Sequence, residues 1–497
     1  MSSPLVFSVD VGSSSVRAGL FDAQCRAVNG TGSRRPHRFV FSAGGRAEAN
    51  ADELAGLVEA CIDESLERLA GLRLDATVVA VSFCTFLHGM IGADRDGKAL
   101  TPVMTWADTR SADQAARLSV MLDPGEVLQR TGCPLHPVYF PAKILWIKEN
   151  QPQLFQKIDW WCSIGEYCIR RFTGRRFCSL SMASAFGLFN RRTSGWDKEL
   201  LRTLGLEETH LSTLAGMSSP AQCRPPFAAR WPKLRDTAWF PALGDGTCSS
   251  VGCGCAVPQR AALMIGTTGA LRAVRAAGDS HVPTGLWCYR MDHAWEQIGG
   301  VLGDGGNLFE WMNGALNIGL GPEEIERALL AAKPAGHGLT ILPFFTGERS
   351  TGWNPHARGT VGGLTLETSA LDILQASMEA VAYRFAAIMK LLRPVVPAMR
   401  EIICTGGALL ASASWAQILA DVLEVPLACA DEPEASSRGA ALLALEALGH
   451  LTRADVPGPP VARTLFPRAG AAEAHRAALR EQERLREAVL GVKQASP

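Results

Sequence analysis

Asp10 is followed by Gly12-Ser13-Ser14-Ser15 and then by Arg17: a carboxylate, a run of small hydroxyl residues and a guanidinium close together in the chain. A turn this bare lets a phosphate reach backbone N–H groups and hydroxyls. Asp10 offers a hard oxygen to a hydrated Mg²⁺, and Arg17 adds positive charge nearby. An ordinary surface turn has the same composition, so this stretch alone leaves both readings open. Asp245 is flanked by Gly244 and Gly246 after an apolar run; it is either a turn former or a carboxylate made accessible by small neighbours. Trp106, Asp108 and Arg110 occupy alternate positions, which puts them on one side if the backbone is extended. With His88 they would line a polar pocket suited to a polyhydroxylated ligand; the alternative is a core Trp beside an Asp–Arg pair.

The opening pattern recurs. Ala262 to Arg272 contains an apolar run, then Gly266-Thr267-Thr268-Gly269, then an apolar–Arg pair. Aligning Gly12 with Gly266 matches Ser13 to Thr267 and Ser14 to Thr268, which implies two related halves. Two hydroxyl-lined turns facing across a cleft would grip a polyphosphate from both sides. Later, Thr405-Gly406-Gly407-Ala408 follows a short apolar run. Adjacent glycines there let a flat ring such as adenine lie against the backbone, although Gly-Gly alone is weak evidence.

These residues need elements to hold them. Leu5–Asp10 and Val16–Phe21 read as a hairpin. Asp52–Leu69 has helical spacing of Leu54, Leu57, Val58, Cys61 and Ile62. Val78–Phe83 reads as a strand buried on both faces, leading to the loop of His88. A strand over 400–404 and a helix carrying Trp415, Ile418, Leu419, Val422 and Leu423 support the third glycine motif. After a shorter helix near 440–447, Pro457–Pro460 reads as a linker. Ala471–Leu490 reads as a charged terminal helix whose thin apolar stripe is Ala478, Leu485 and Val489.

The chain has 497 residues, enough for two or more domains. Lys+Arg and Asp+Glu both number 49 and no basic block occurs, which argues against nucleic-acid and membrane partners. The N-terminus lacks a signal-peptide pattern, and the uncharged stretch 76–93 contains polar residues unlike a membrane span. The 14 cysteines are scattered as in a reduced, cytoplasmic protein; Cys248, Cys253 and Cys255 cluster without zinc-finger partners. P-loop, nucleophile-elbow and dinucleotide-fold glycine motifs are missing from the sequence.

The segments Asp10–Arg17, Gly266–Gly269 and Thr405–Ala408, in this order and separation, resemble the two phosphate motifs and the adenosine motif of the FGGY carbohydrate kinases. These belong to the sugar kinase, Hsp70 and actin superfamily. Leu342–Gly363 resembles the family's second-domain signature. The resemblance spans roughly Val6 to Leu445. It implies an α/β protein with two ribonuclease H-like (actin-like ATPase) domains around a central cleft: 1–246, 247–455, and a linker and terminal helix over 456–497. It implies ATP and Mg²⁺, with Asp245 as base on the sugar hydroxyl and Asp10 and Asp245 beside the metal. Gly12, Ser13, Ser14, Ser15, Arg17, Gly266, Thr267 and Thr268 would meet phosphates, and Gly406, Gly407 and Ala408 would lie by adenine. His88, Trp106, Asp108, Arg110 and Asp245 would meet the sugar. Thr105–Asp108, Arg130–Gly132, Ser163–Tyr167 and Met182–Asn190 look most like gluconate kinases, with xylulose kinases next. Leu87 departs from the Met usual before the sugar-site His. A substrate carboxylate would need a cation, for which Arg110, His88 and Lys143 are the candidates. The different-class alternative is an ATP-driven switch of the actin/Hsp70 sort. A homodimer is compatible with the sequence, which does not fix the oligomeric state.

Overall fold

Ser3–Val11 and Ser15–Phe21 form the opening hairpin, antiparallel, with Asp10 opposite Arg17. The computed structural model describes residues 3–491 apart from 73 and 75. Ala76–Thr85 runs parallel to the first strand and sets Cys84 beside Asp10. Leu5 to Val11 are all buried, because helices cover both faces of this sheet. Leu5, Phe7, Val9 and Val11 pack towards the helix Ala51–Gly71, whose first turn is capped by the Asn50 side chain. The alternate residues face the other way, where Ser8 Oγ donates to the Ser437 carbonyl and Ser82 Oγ to that of Ala440. Both acceptors lie on the helix Ala435–Ala447. Asp10 shares the register of Val6 and Ser8, so it points towards the second half of the chain.

That half repeats the plan. Arg260–Ile265 and Gly269–Ala276 form an antiparallel hairpin, and Glu401–Thr405 lies parallel beside the first of them. The sheet has seven strands, ending at one edge with Leu427–Ala430 and Val461–Leu465. The recurrence in sequence is thus a recurrence of hairpin plus parallel third strand. The halves join where Asp245–Gly252 crosses Ala435–Ala447. A Cβ on Gly252 would meet the Ala435 carbonyl at 1.8 Å and one on Gly439 would meet that of Cys248 at 1.8 Å; only glycine permits this approach.

The C-terminal segment differs from expectation. Val461–Leu465, placed by the sequence after a linker, pairs with Leu427–Ala430 as an edge strand. The terminal helix Ala471–Leu490 buries His475, Gln482 and Arg486, while Val489 is exposed. Gln482 donates to the carbonyls of Ile341 and Ala380, and Arg486 pairs with Glu348. A reading of apolar stripes misses a face held by hydrogen bonds and ion pairs of buried polar side chains. Among the described residues, no helix is long and apolar enough to cross a membrane.

Candidate active site

The chain rejoins the first sheet at Leu243–Gly244, pairing parallel with Cys84 and Thr85. Ser181 Oγ accepts from the Gly244 N–H at 3.0 Å, and Asp245 then opens the helix Asp245–Gly252. The Gly246 N–H donates to Asp245 Oδ1 at 2.7 Å. Asp10 is buried and Asp245 half-buried at the same end of the sheet. Burial pushes the Asp10 carboxyl up to about 6; Arg17 opposes this, while Asp245 and Glu434 add to it and the Cys84 thiol donates a stabilising hydrogen bond. Burial also raises Asp245, against the Arg272 guanidinium and the Gly246 N–H. Two desolvated carboxylates that repel each other form a place where a cation is welcome.

Three bare turns surround them. In the first, the Gly12 N–H donates to the Ser15 carbonyl at 3.0 Å, leaving Ser13 and Ser14 exposed. Ser15, expected with them, is buried at the start of the second strand, and its Oγ accepts from Arg17 Nε–H at 3.4 Å. Its hydroxyl is therefore directed into the protein. Arg17 pairs with Glu434 at 3.1 Å, across to the second half.

In the second turn, the Gly266 N–H donates to the Thr268 carbonyl at 3.0 Å, and Thr267 is exposed. The carbonyls of Gly266 and Thr267 accept from the N–H groups of Gly306 and Asn307, which start the helix Gly306–Ala315. In the third, Gly406 has φ +94° and a Cβ there would lie 2.4 Å from the Ile265 carbonyl. It precedes the short helix Gly407–Ala411. A Cβ on Gly306 would meet the Gly266 carbonyl at 2.5 Å and the Ala408 methyl at 3.0 Å. The second and third motifs are thus neighbours in space.

Arg272 rises from the strand after the second turn and lies over Gly246: a Cβ there would be 3.4 Å from its Nε. Its Nη1 is buried without a hydrogen-bond partner. Sequence reasoning noted Arg272 as part of a repeat but gave it no role at the carboxylates.

His88 adopts φ +65°. Its Nδ1 bonds the Ala185 carbonyl at 2.9 Å, which assigns the proton to Nδ1 and leaves Nε2 an acceptor. Burial, Arg349 and Lys143 hold its pKa well below the ordinary value, so the ring is neutral. The ring lies 5.1 Å from Tyr139 and 6.1 Å from Tyr289, whose hydroxyls share a 2.7 Å hydrogen bond. Tyr289 belongs to the second sheet, so the wall of this pocket is built by both halves. Tyr139 and Tyr289 have no local signature that a single sequence could reveal.

The segment 106–110 is not extended. The Asp108 N–H donates to the Thr105 carbonyl and the Ala112 N–H to that of Thr109, turning the chain. Trp106 faces the cleft, with Arg349 Cζ 5.9 Å from its ring centroid. Asp108 is buried and accepts from the Ala47 N–H and from Arg110; Arg110 also pairs with Glu48 and stacks on Trp146 at 4.7 Å. The expected row of three pocket residues therefore does not form, because Asp108 and Arg110 satisfy each other and the adjoining backbone. Lys143 is equally committed: its Nζ donates to the carbonyls of His88, Met104 and Thr105 at 2.7, 3.1 and 2.8 Å.

Residues 5–252 match the model of the FGGY family of carbohydrate kinases, N-terminal domain, and residues 298–448 that of its C-terminal domain. The chain is 28% identical over 462 residues to a gluconokinase of Bacillus subtilis, covering 90% of this chain and 89% of that one. It is 25% identical over 379 residues to a xylulose kinase of Staphylococcus epidermidis, covering 76% and 75% of the two. A crystal structure of gluconate kinase from Lactobacillus acidophilus superposes with a TM-score of 0.90 at 24% identity, covering 98% of each chain. Glycerol kinase of Plasmodium falciparum with ADP superposes at 0.85 and 18% identity, over 99% of each. The actin/Hsp70 switch reading falls away, since both halves match models of enzymes. With a repeated hairpin-and-strand plan, paired carboxylates between the halves and both domain models matched, the chain belongs to the FGGY family of carbohydrate kinases.

Proposed function

We propose that the protein transfers the γ-phosphoryl group of ATP to a hydroxyl of a sugar acid, with gluconate giving 6-phosphogluconate as the first choice. The observation that carries this reading is that Asp10 and Asp245 stand at one sheet end close enough for Asp245 to act on the Asp10 carboxyl, with Arg272, from the strand after the Gly266 turn, over Gly246. Asp245 takes the proton of the attacking hydroxyl; a positioned base of this kind contributes about 10²–10⁴-fold. Gly12, Ser13, Ser14, Gly266, Thr267 and Thr268 receive the phosphates, and Gly406, Gly407 and Ala408 border the adenine.

Asp10 and Asp245 would hold Mg²⁺, which supplies neutralisation of phosphate charge. The desolvated, mutually repelling pair fits that ion. Mg²⁺ needs only one or two protein carboxylates, the rest of its shell coming from phosphate and water. His88 Nε2 and Trp106 offer an acceptor and an apolar wall to the sugar. Gluconokinase and gluconate kinase relatives favour the acid; xylulose kinase relatives favour a ketose as the second reading.

A coupled ADP assay across gluconate, xylulose, ribulose and glycerol, with the product identified by phosphorus NMR, tests this. The highest kcat/KM is expected for gluconate. A neutral acceptor preferred tenfold or more would replace the acid reading with the second one.

A further inference from the structure

A histidine outside every motif holds the first bare turn from one side. His37 follows the strand Ser33–Pro36, which pairs antiparallel with Ser15–Phe21 and sets Pro36 opposite Ser15. Its backbone N–H donates to the Ser14 carbonyl at 3.0 Å, and its ring Nε2 lies 2.9 Å from the Gly12 carbonyl. A carbonyl only accepts, which assigns the ring proton to Nε2; Nδ1 is buried without a hydrogen-bond partner. Burial holds the ring below the ordinary histidine pKa, so it is neutral at pH 7. One residue thus takes two carbonyls of the turn.

The consequence falls on the N–H groups. In a trans peptide the C=O and N–H point in opposite directions. Fixing the Gly12 carbonyl on His37 therefore turns the Ser13 N–H away from His37, and fixing the Ser14 carbonyl does the same for the Ser15 N–H. Ser13 is exposed, and among the described residues nothing accepts from its N–H. A carbonyl swung to that face would set its negative end where an N–H donor now welcomes an anion. The ring is kept in place by its neighbours. Phe39 lies 5.9 Å from it and meets Phe86 edge-on at 5.5 Å. The Phe86 N–H donates to the carbonyl of Val11 at 2.9 Å, one residue before Gly12. Histidine, aromatic pair and turn close into one ring of contacts.

We propose that His37 is a positioning residue for the nucleotide: by holding the Gly12 and Ser14 carbonyls to its own side, it keeps the N–H groups of the first turn aimed at the phosphates. The donors are then oriented before ATP arrives, so binding costs no reorganisation of the turn. This rests on the reading above that the turn receives phosphates, and it adds a residue that acts through the turn rather than on either substrate.

The test compares wild type, H37F and H37Q by kcat/KM for Mg·ATP and by the calorimetric Kd of the acceptor without ATP, using the best acceptor of the screen above. H37F keeps an aromatic ring beside Phe39 but has no donor for the Gly12 carbonyl. Its kcat/KM for Mg·ATP is expected to fall about tenfold, the scale of one lost hydrogen bond, while acceptor Kd stays within about threefold. H37Q, whose amide N–H can meet the same carbonyl, should recover most of that loss. Unchanged nucleotide kinetics in H37F, a loss shared equally by acceptor binding, or a loss that H37Q does not recover would overturn the role of His37 while leaving phosphoryl transfer by the wild type intact. A wild type that transfers no phosphoryl group from ATP to any acceptor of the screen would overturn both readings together.

Discussion

Asp10 and Leu243 are both register partners of Cys84, so Asp245 emerges two residues beyond the level of Asp10, at the same end of the sheet and with one strand between them. The strand order makes this unavoidable: Leu243–Gly244 and Ser3–Val11 flank Ala76–Thr85 on its two sides. The chain has to travel through most of the first half to bring these two carboxylates together. Carboxylates brought together and desolvated in this way mark a candidate functional site.

Replacing Asp10 separates nucleotide use from acceptor binding. Asp10→Ala is expected to raise KM for Mg·ATP at least tenfold while gluconate Kd stays within about threefold, read by steady-state kinetics and calorimetry. Equal loss of both would assign Asp10 a structural role.

Asp245→Asn keeps the shape and the Gly246 N–H contact but removes the proton acceptor. Turnover should fall by on the order of 10²-fold or more with acceptor binding retained. Near-normal kcat would remove Asp245 from the role of base.

The parts of the site legible in the sequence are those written locally. Both hairpin turns and the glycine pair at 406–407 are contiguous and carry their own signals, and Asp245 stands between glycines. What lay hidden depends on long-range partners. Ser15 resembles Ser13 and Ser14 in sequence, yet the antiparallel register turns it inward. Trp106, Asp108 and Arg110 alternate as in a strand, but buried Asp108 draws N–H groups and Arg110 to itself and bends the chain. His37 lies outside every motif; its bearing on the first turn emerges only once its ring is seen against the Gly12 carbonyl.

Gly406→Ala should be costly for two independent reasons, φ +94° and the 2.4 Å approach to the Ile265 carbonyl. A loss of about 2 kcal/mol or more is expected in urea unfolding, with a raised KM for ATP. Gly407→Ala is the control: open space surrounds its Cβ, so the same assay should show a change of only a few tenths of a kcal/mol or a gain. Equal losses at both positions would exclude the backbone argument.

His136 predicts a pH window. Burial, with Arg349 and Lys143 nearby, lowers its pKa from 6.5 to about 3. Below pH 6.5 the unfolded chain takes up a proton that the folded chain refuses, so the contribution is complete above that pH and is lost as pH falls towards 3. Between pH 7 and pH 4 this residue should cost on the order of 2–3 kcal/mol of stability. His136→Asn, whose side-chain oxygen can accept the Val138 N–H that Nδ1 now accepts at 3.2 Å, should flatten the stability–pH curve by that amount. An unchanged curve would assign the acid sensitivity to other groups.

Arg272 holds back the rise that burial imposes on the Asp245 carboxyl. Burial raises the carboxyl, and the guanidinium over Gly246 is the leading influence that opposes this. Arg272→Met removes that opposition, so a smaller fraction of Asp245 is ionised at any given pH. The acid limb of kcat/KM for gluconate should therefore move to higher pH. Turnover at neutral pH should fall by about tenfold or more, since the proposed base is less ionised. Arg272→Lys, retaining a cation at the same place, should restore much of the position of the limb even if turnover stays low. A purely structural role would lower activity at every pH and leave the limb where it is in the wild type, and that result would detach Arg272 from the base.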